Sequence, residues 1–142
     1  MITTDEHALE AGWVRWRHDF HRFPETGFEE RHTADRVAGL LQMLGLAVHR
    51  GIGGTGVVAS LTVGSGTGVI GLRADMDALA ITETAPGRSH ASTRPGCMHA
   101  CGHDGHMAML LGAAQLLAAR RDFDGTVRFV FQPAEEHGRG AA

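Results

Sequence analysis

Chemistry is concentrated in three short stretches of this 142-residue chain. The densest runs from Met98 to Ala114, where His99, Cys101, His103 and His106 offer sulfur and nitrogen, Asp104 lies among them, and an apolar helical pattern follows at once. A thiolate and an imidazole two residues apart in an extended loop point to the same side, as two ligands of one metal must. Packing alone does not account for that density, and the stretch reads as half of a metal centre. A second stretch, Asp75-Met76-Asp77, places two carboxylates where a buried strand should stop. Sites on α/β sheets gather at such strand ends. From the residues alone, a pair that orients a ligand or holds a metal and a turn with capping aspartates both stay open. The third is Glu135-Glu136, directly after a strand terminated by Pro133.

Sulfur, nitrogen and carboxylate oxygen from Cys101, His103 and one of the two glutamates make a donor set that a divalent transition metal takes. Adjacent glutamates can divide the remaining labour, one ligating the ion and the other accepting a proton from metal-bound water. Such water ionises near neutral pH, attacks a carbonyl polarised by the same ion, and the base returns the proton to the leaving nitrogen. Against this stands a plainer reading, since paired glutamates after a strand are usually a solvated turn. A thiolate argues for zinc, nickel or cobalt over magnesium or calcium.

The elements that must position these groups follow from periodicity. Leu9, Trp13, Trp16 and Phe20 mark one face of a helix from about Asp5 to Arg22, broken by Pro24 and Gly27. A second helix begins near Glu29 with Ala34, Val37, Leu41 and Leu44 as its buried stripe, and Gly45 stands where a left-handed cap belongs. His18, His21 and His32 on these helices read as solvated or satisfied side chains. A short strand over Leu46 to His49 leads into Gly51-Ile52-Gly53-Gly54-Thr55-Gly56, which formally contains a dinucleotide fingerprint. That fingerprint must open a helix, and here β-branched Val57 to Val63 follows, so the segment reads as a glycine-rich turn. Residues 57 to 74 read as a hairpin turning at Gly64 to Gly68. Ala78 to Gly96, with Pro86 and Pro95, is a loop. Asp104 is expected to cap a helix that packs Met107, Met109, Leu110, Leu111, Ala114, Leu117 and Ala118 and ends near Arg120 and Arg121, after which Thr126 to Gln132 forms a strand.

Composition sets the outer limits. With 43% hydrophobic and 20% charged residues the chain is ordinary for one soluble globular domain, and a net charge of -3 gives no basic footprint for nucleic acid. No apolar run reaches the roughly 18 residues of a membrane span, and the N-terminus lacks the layout of a signal peptide, so a cytoplasmic protein without membrane partners is expected. Cys97 and Cys101 lie too close, in a chain without an export signal, for a structural disulfide to be the stronger reading. A redox or structural Cys-x-x-x-Cys site is weaker still.

Three motifs tie these stretches together: Leu72-Arg-Ala-Asp-Met-Asp-Ala-Leu79, Met98-His-Ala-Cys-Gly-His-Asp-Gly-His106 and Phe131-Gln-Pro-Ala-Glu-Glu136. With Arg17 to His21, Pro24 to Glu30 and Gly51 to Val58, they resemble, in order and over nearly the whole chain, the metallopeptidase family of hippurate hydrolases, aminoacylases and indole-acetyl-amino-acid hydrolases. The resemblance implies Cys101, His103 and Glu136 as metal ligands, Glu135 as general base and Asp77 as an orienting catalytic residue, with Asp75 more loosely placed. His99, Asp104 and His106 are implied as supporting or substrate contacts. It further implies a centre of two divalent ions (zinc, manganese, nickel or cobalt), small N-acyl amino acids as substrates, and a dimeric or tetrameric parent.

Family members are longer, with a dimerisation or lid domain and a later catalytic segment that supplies two histidine ligands. Residues 1–142 therefore correspond to the N-terminal part of the catalytic domain. The expected fold is α/β, a mixed, mainly parallel sheet flanked by helices in the manner of zinc exopeptidases, with the site at strand ends. The expected activity is hydrolysis of the amide of an N-acyl amino acid. Dipeptidase, carboxypeptidase or deacetylase activity of the same superfamily, and an inactive remnant that holds metal weakly, are the alternatives. Cys97 and His137 depart from the family pattern and read as neutral variation.

Overall fold

The computed structural model describes residues 4–84 and 87–141. In chain order the elements are α1 (Thr4–Arg22), α2 (Arg31–Met43), β1 (Ala47–Ile52), β2 (Gly56–Val63), β3 (Val69–Asp75), α3 (His103–Arg120) and β4 (Gly125–Gln132). The strands form one sheet in the order β1-β2-β4-β3.

Alternation in β4 explains the core. Val127, Phe129 and Phe131 point to one face, opposite Leu61, Ala59 and Val57 of β2, and all six are buried. Leu41 of α2 and Leu111 and Met107 of α3 close over them with no exposed surface. On the other face Thr62 and Arg128 are exposed, so the helices cover one side of the described sheet. α1 packs on α3, where Trp13 donates its indole N–H to Gln115 at 2.8 Å, and Phe20 reaches the core.

The α/β expectation and the mixed sheet are observed, but the balance of strand directions differs. β1–β2 and β2–β4 are antiparallel and only β3–β4 is parallel among the described strands. The expected hairpin over residues 57 to 74 is absent, because β4 slots between β2 and β3. The central position belongs to β4 because its buried Val and Phe alternate cleanly, whereas exposed Val69 and Ile70 suit β3 to an edge. The hairpin that does form joins β1 to β2, with its turn at the glycine-rich segment. Gly53 and Gly54 have φ of 61° and 106° there, and a register shift falls between Arg50 and Ile52. The segment leads into β2 and opens no helix, as the β-branched run after it predicts.

Two helix details also differ. α3 is capped by Gly102 at φ 95° rather than by Asp104, which lies within the first turn. Met109 is 66% exposed and not a core residue, although Met107 is fully buried. Gly45 does adopt a positive φ of 79° after α2. Pro86, one of the expected loop breakers, lies outside the described residues. No helix of the described residues is long and apolar enough to cross a membrane.

Candidate metal centre

Parallel pairing decides where the acids go. β3 and β4 run side by side with Asp75 opposite Gln132, so both strands deliver their following residues to the same end of the sheet. Asp75 and Asp77 leave from one strand, Glu135 and Glu136 from its neighbour. The long loop returns to this end through a two-way backbone pairing of Leu79 with Met98, 3.0 Å in each direction, which sets Cys101 and the start of α3 beside the acids.

His103 is the centre of the arrangement, 2% exposed. Its Nδ1 lies 2.8 Å from the backbone carbonyl of Asp77. A carbonyl only accepts, so Nδ1 carries the hydrogen and Nε2 is the atom turned to the site. Around Nε2 stand Asp75 Oδ1 at 3.6 Å, Glu135 Oε2 at 3.8 Å and Glu136 Oε1 at 3.9 Å. Donor atoms of Cys101, His103 and Glu136 all lie within 4.8 Å of one another. A second group, Asp75, His103 and His106, meets the same distance. Sulfur, imidazole nitrogen and carboxylate oxygen gathered in this way suit a divalent transition metal.

Asp77 does not face the open side. It is 1% exposed behind His103, with Oδ1 3.4 Å from Nδ1, and its Oδ2 accepts the backbone N–H of Glu136 at 3.0 Å. One carboxylate thus braces both a candidate nitrogen donor and the backbone of a candidate oxygen donor. Burial opposes ionisation of Asp77, but the hydrogen bonds from His103, Glu136 and Glu135 hold its pKa below the usual value. Burial likewise opposes charge on His103, yet Asp77 and Asp75 push its pKa up to about 9. Cys101 is exposed and its thiol is pushed up, first by its hydrogen bond with Glu136, then by burial and the surrounding acids. For His103 and Cys101 alike the neighbouring acids raise the pKa, a concentration of negative charge that a proton on His103 or a bound cation neutralises.

The other members of the motif are placed apart. His106 donates from Nδ1 to Asp75 at 2.6 Å. Asp104 is buried and ties α3 to α1, accepting from His21 at 2.9 Å and Arg17 at 3.4 Å. His99 is 4% exposed with neither ring nitrogen bonded, and burial lowers its pKa to about 4 against the pull of Asp104. Among the described residues neither Cys97 nor His137 belongs to a donor group, and Cys97 is a half-buried free thiol raised by burial.

Sequence reasoning passed over Glu30. Fully buried, it accepts from Thr55 Oγ1 at 2.6 Å and from the backbone N–H of Ala134 at 2.8 Å. Ala134 sits at φ 49°, a left-handed conformation rare outside glycine, immediately before the two glutamates. Glu30 therefore anchors the bend that aims them. Its only signal was a charged residue at the head of a helix, which is ordinary. Glu25 was missed for the same reason: it accepts the N–H groups of His32 at 3.2 Å and Thr33 at 2.8 Å, capping α2 from outside the helix.

Comparison with known proteins gives the family of the chain. The chain is 46% identical over 134 residues to a hippurate hydrolase of Campylobacter jejuni, covering 94% of this chain and 34% of that protein. It is 40% identical over 139 residues to thermostable carboxypeptidase 1 of Saccharolobus solfataricus, covering 96% of this chain and 35% of that one. The chain thus spans about a third of the length of these relatives. Among solved structures it is similar to the Bacillus subtilis YXEP protein, a dinuclear metal binding peptidase of the M20 family, with a TM-score of 0.90 and 40% identity over 95% of this chain and 38% of that one. Residues 71–142, which hold all three acidic and thiol-imidazole motifs, match the model of peptidase family M20/M25/M40, and the chain belongs to that family.

Proposed function

We propose that this chain carries the N-terminal part of a metal-dependent amidohydrolase that cleaves the amide of N-acyl amino acids, hippurate-like or N-acetyl compounds among them. The observation that carries the reading is the convergence of Glu136 with Cys101 and His103, from two segments distant in sequence, within 4.8 Å, with Glu135 beside them. Cys101, His103 and Glu136 are the side chains that would hold an ion there. The dinuclear relative supports a pair of divalent ions in the complete site, from zinc, manganese, nickel or cobalt. When bound, the ions supply Lewis acidity that activates water and polarises the substrate carbonyl.

Within this chain Glu135 does the proton transfer, taking the proton of the attacking water on a carboxylate oxygen and returning it to the leaving nitrogen. Asp77 keeps the His103 ring in place and holds its Nδ1–H side away from the ion. In the complete protein, a lid or dimerisation segment and two further histidines finish the centre, and the assembly is a dimer or tetramer. Hydrolysis of peptides is the second reading, favoured by the carboxypeptidase relative.

Glu135→Gln tests the assignment. Metal content should stay near that of the parent while turnover of hippurate falls by about a hundredfold or more. Glu136→Gln and Cys101→Ser should instead lose metal. Equal loss of metal and activity in Glu135→Gln would show base and ligand to be exchanged. Parallel assays on N-benzoyl, N-acetyl and dipeptide substrates separate the two readings, and metal binding without turnover of any would leave the chain a metal-binding remnant.

A further inference from the structure

We propose that Asp75 and His106 form a positioning pair that reserves the Nε2 of His103 for an ion on the Cys101–Glu136 side. The inference rests on the metal-centre reading and concerns how this chain selects between two donor sets. Both sets contain His103: one adds Cys101 and Glu136, the other Asp75 and His106. His103 has a single nitrogen to give, because Nδ1 is committed to the carbonyl of Asp77 at 2.8 Å. One lone pair holds one ion, so the sets exclude each other.

Distance alone favours the wrong set. Asp75 Oδ1 is 3.6 Å from Nε2, nearer than Glu135 at 3.8 Å or Glu136 at 3.9 Å. Asp75 is also better buried than either glutamate. What restrains it is its own hydrogen bonding. Oδ1 accepts from His106 Nδ1 at 2.6 Å, a short charge-assisted contact, and Oδ2 accepts from Arg73 Nη1 at 3.3 Å. Arg73 is itself fixed through Nε to Gln132 Oε1 at 2.8 Å, across the parallel β3–β4 pair. Both oxygens of Asp75 are thus engaged in hydrogen bonds. The His106 ring lies against that of His103, with centroids 5.5 Å apart and planes 29° apart, which also limits rotation of the donor ring.

Once His106 is removed the competing donor is Asp75 alone, whose Oδ1, 3.6 Å from Nε2 and no longer held by His106, is freed to take the ion from sulfur. The probe is cobalt(II) added to the 142-residue chain, since a thiolate ligand produces a near-ultraviolet charge-transfer band that oxygen and nitrogen ligands do not. The parent chain should show the band at full cobalt loading. His106→Phe keeps a ring against His103 but removes the donor; it should still bind cobalt by equilibrium dialysis while losing most of the band, with thiolate-side affinity about tenfold weaker or more. His106→Asn, whose amide N–H falls near the place of Nδ1, should recover it. The decisive variant is His106→Phe combined with Asp75→Ala, which deletes the competitor and should restore the band. A purely structural role for His106 predicts no such rescue. An unchanged band in His106→Phe, or a double variant as weak as the single one, would overturn the proposal while leaving the metal centre standing. A parent chain that binds cobalt with no thiolate band would overturn the metal-centre reading itself and the pairing with it.

Discussion

His103 and Cys101 show how a site stores negative charge before any ion arrives. His103 is held up at a pKa of about 9 and Cys101 above its usual value, because Asp75, Asp77, Glu135 and Glu136 crowd them. An ion entering on Nε2 and Sγ must displace the protons of both groups. Metal affinity of the chain should therefore climb as pH rises through neutrality and keep climbing past pH 9, because Cys101 is held above its usual value after His103 has lost its proton. Calorimetry in buffers of different ionisation enthalpy should report about two protons released per ion near pH 7. Release of none would mean that neither group ligates. Cys101→Ser should remove one of the two, and the remaining proton identifies the histidine.

Elements matter here through their ends. β3 and β4 end together, α3 starts beside them, and the bend at Ala134 turns the chain so that Glu135 and Glu136 face back toward His103. That bend depends on a carboxylate from the approach to another helix, Glu30. Glu30→Ala strands the buried N–H of Ala134 and the hydroxyl of Thr55, at a cost of about 1–3 kcal/mol for an unsatisfied buried donor. The expected outcome is a lower melting temperature together with reduced metal stoichiometry, even though Glu30 touches no donor atom of the site. Thermal denaturation and metal analysis of the same preparation check both; a variant that loses stability but binds metal fully would confine Glu30 to a packing role. Glu30 went unread because nothing in Glu29-Glu30 distinguishes a buried acceptor from a solvated helix start. Its partners at Thr55 and Ala134 are distant in sequence, and only chain folding brings them to it.

For the whole molecule His103 and His99, the histidines shifted furthest, set opposite limits on stability. His103 moves from 6.5 to about 9, so the folded chain binds its proton more tightly; that contribution is complete below pH 6.5 and is lost as pH rises through 9. His99 moves from 6.5 to about 4, so the unfolded chain gains the proton first, and stability is lost as pH falls from 6.5 toward 4. With a chelator present, stability should peak near pH 6.5. Denaturation midpoints across pH 4 to 9 test this, and His99→Phe should flatten the acid limb alone. A peak that stays in place with the same slopes in His99→Phe would remove His99 as the cause.

The chemistry of this protein was determined by sequence alone: thiol, imidazole and paired carboxylates are properties of residue type, and their three motifs stand in a recognisable order. Helical stripes and strand alternation were equally legible, because burial of one face imposes a period on the chain. Which strands are neighbours was not, since Val57 to Val63 and Val69 to Ala74 look like two arms of a hairpin until β4 competes for both. Pairing is decided by contacts between distant segments, and so are the consequences of pairing. Asp75 meets His106, Asp77 braces His103 and Glu136, and Asp104 serves α1 rather than capping α3. Residue type says what each group can do; the parallel alignment of β3 with β4 decides which of them do it together.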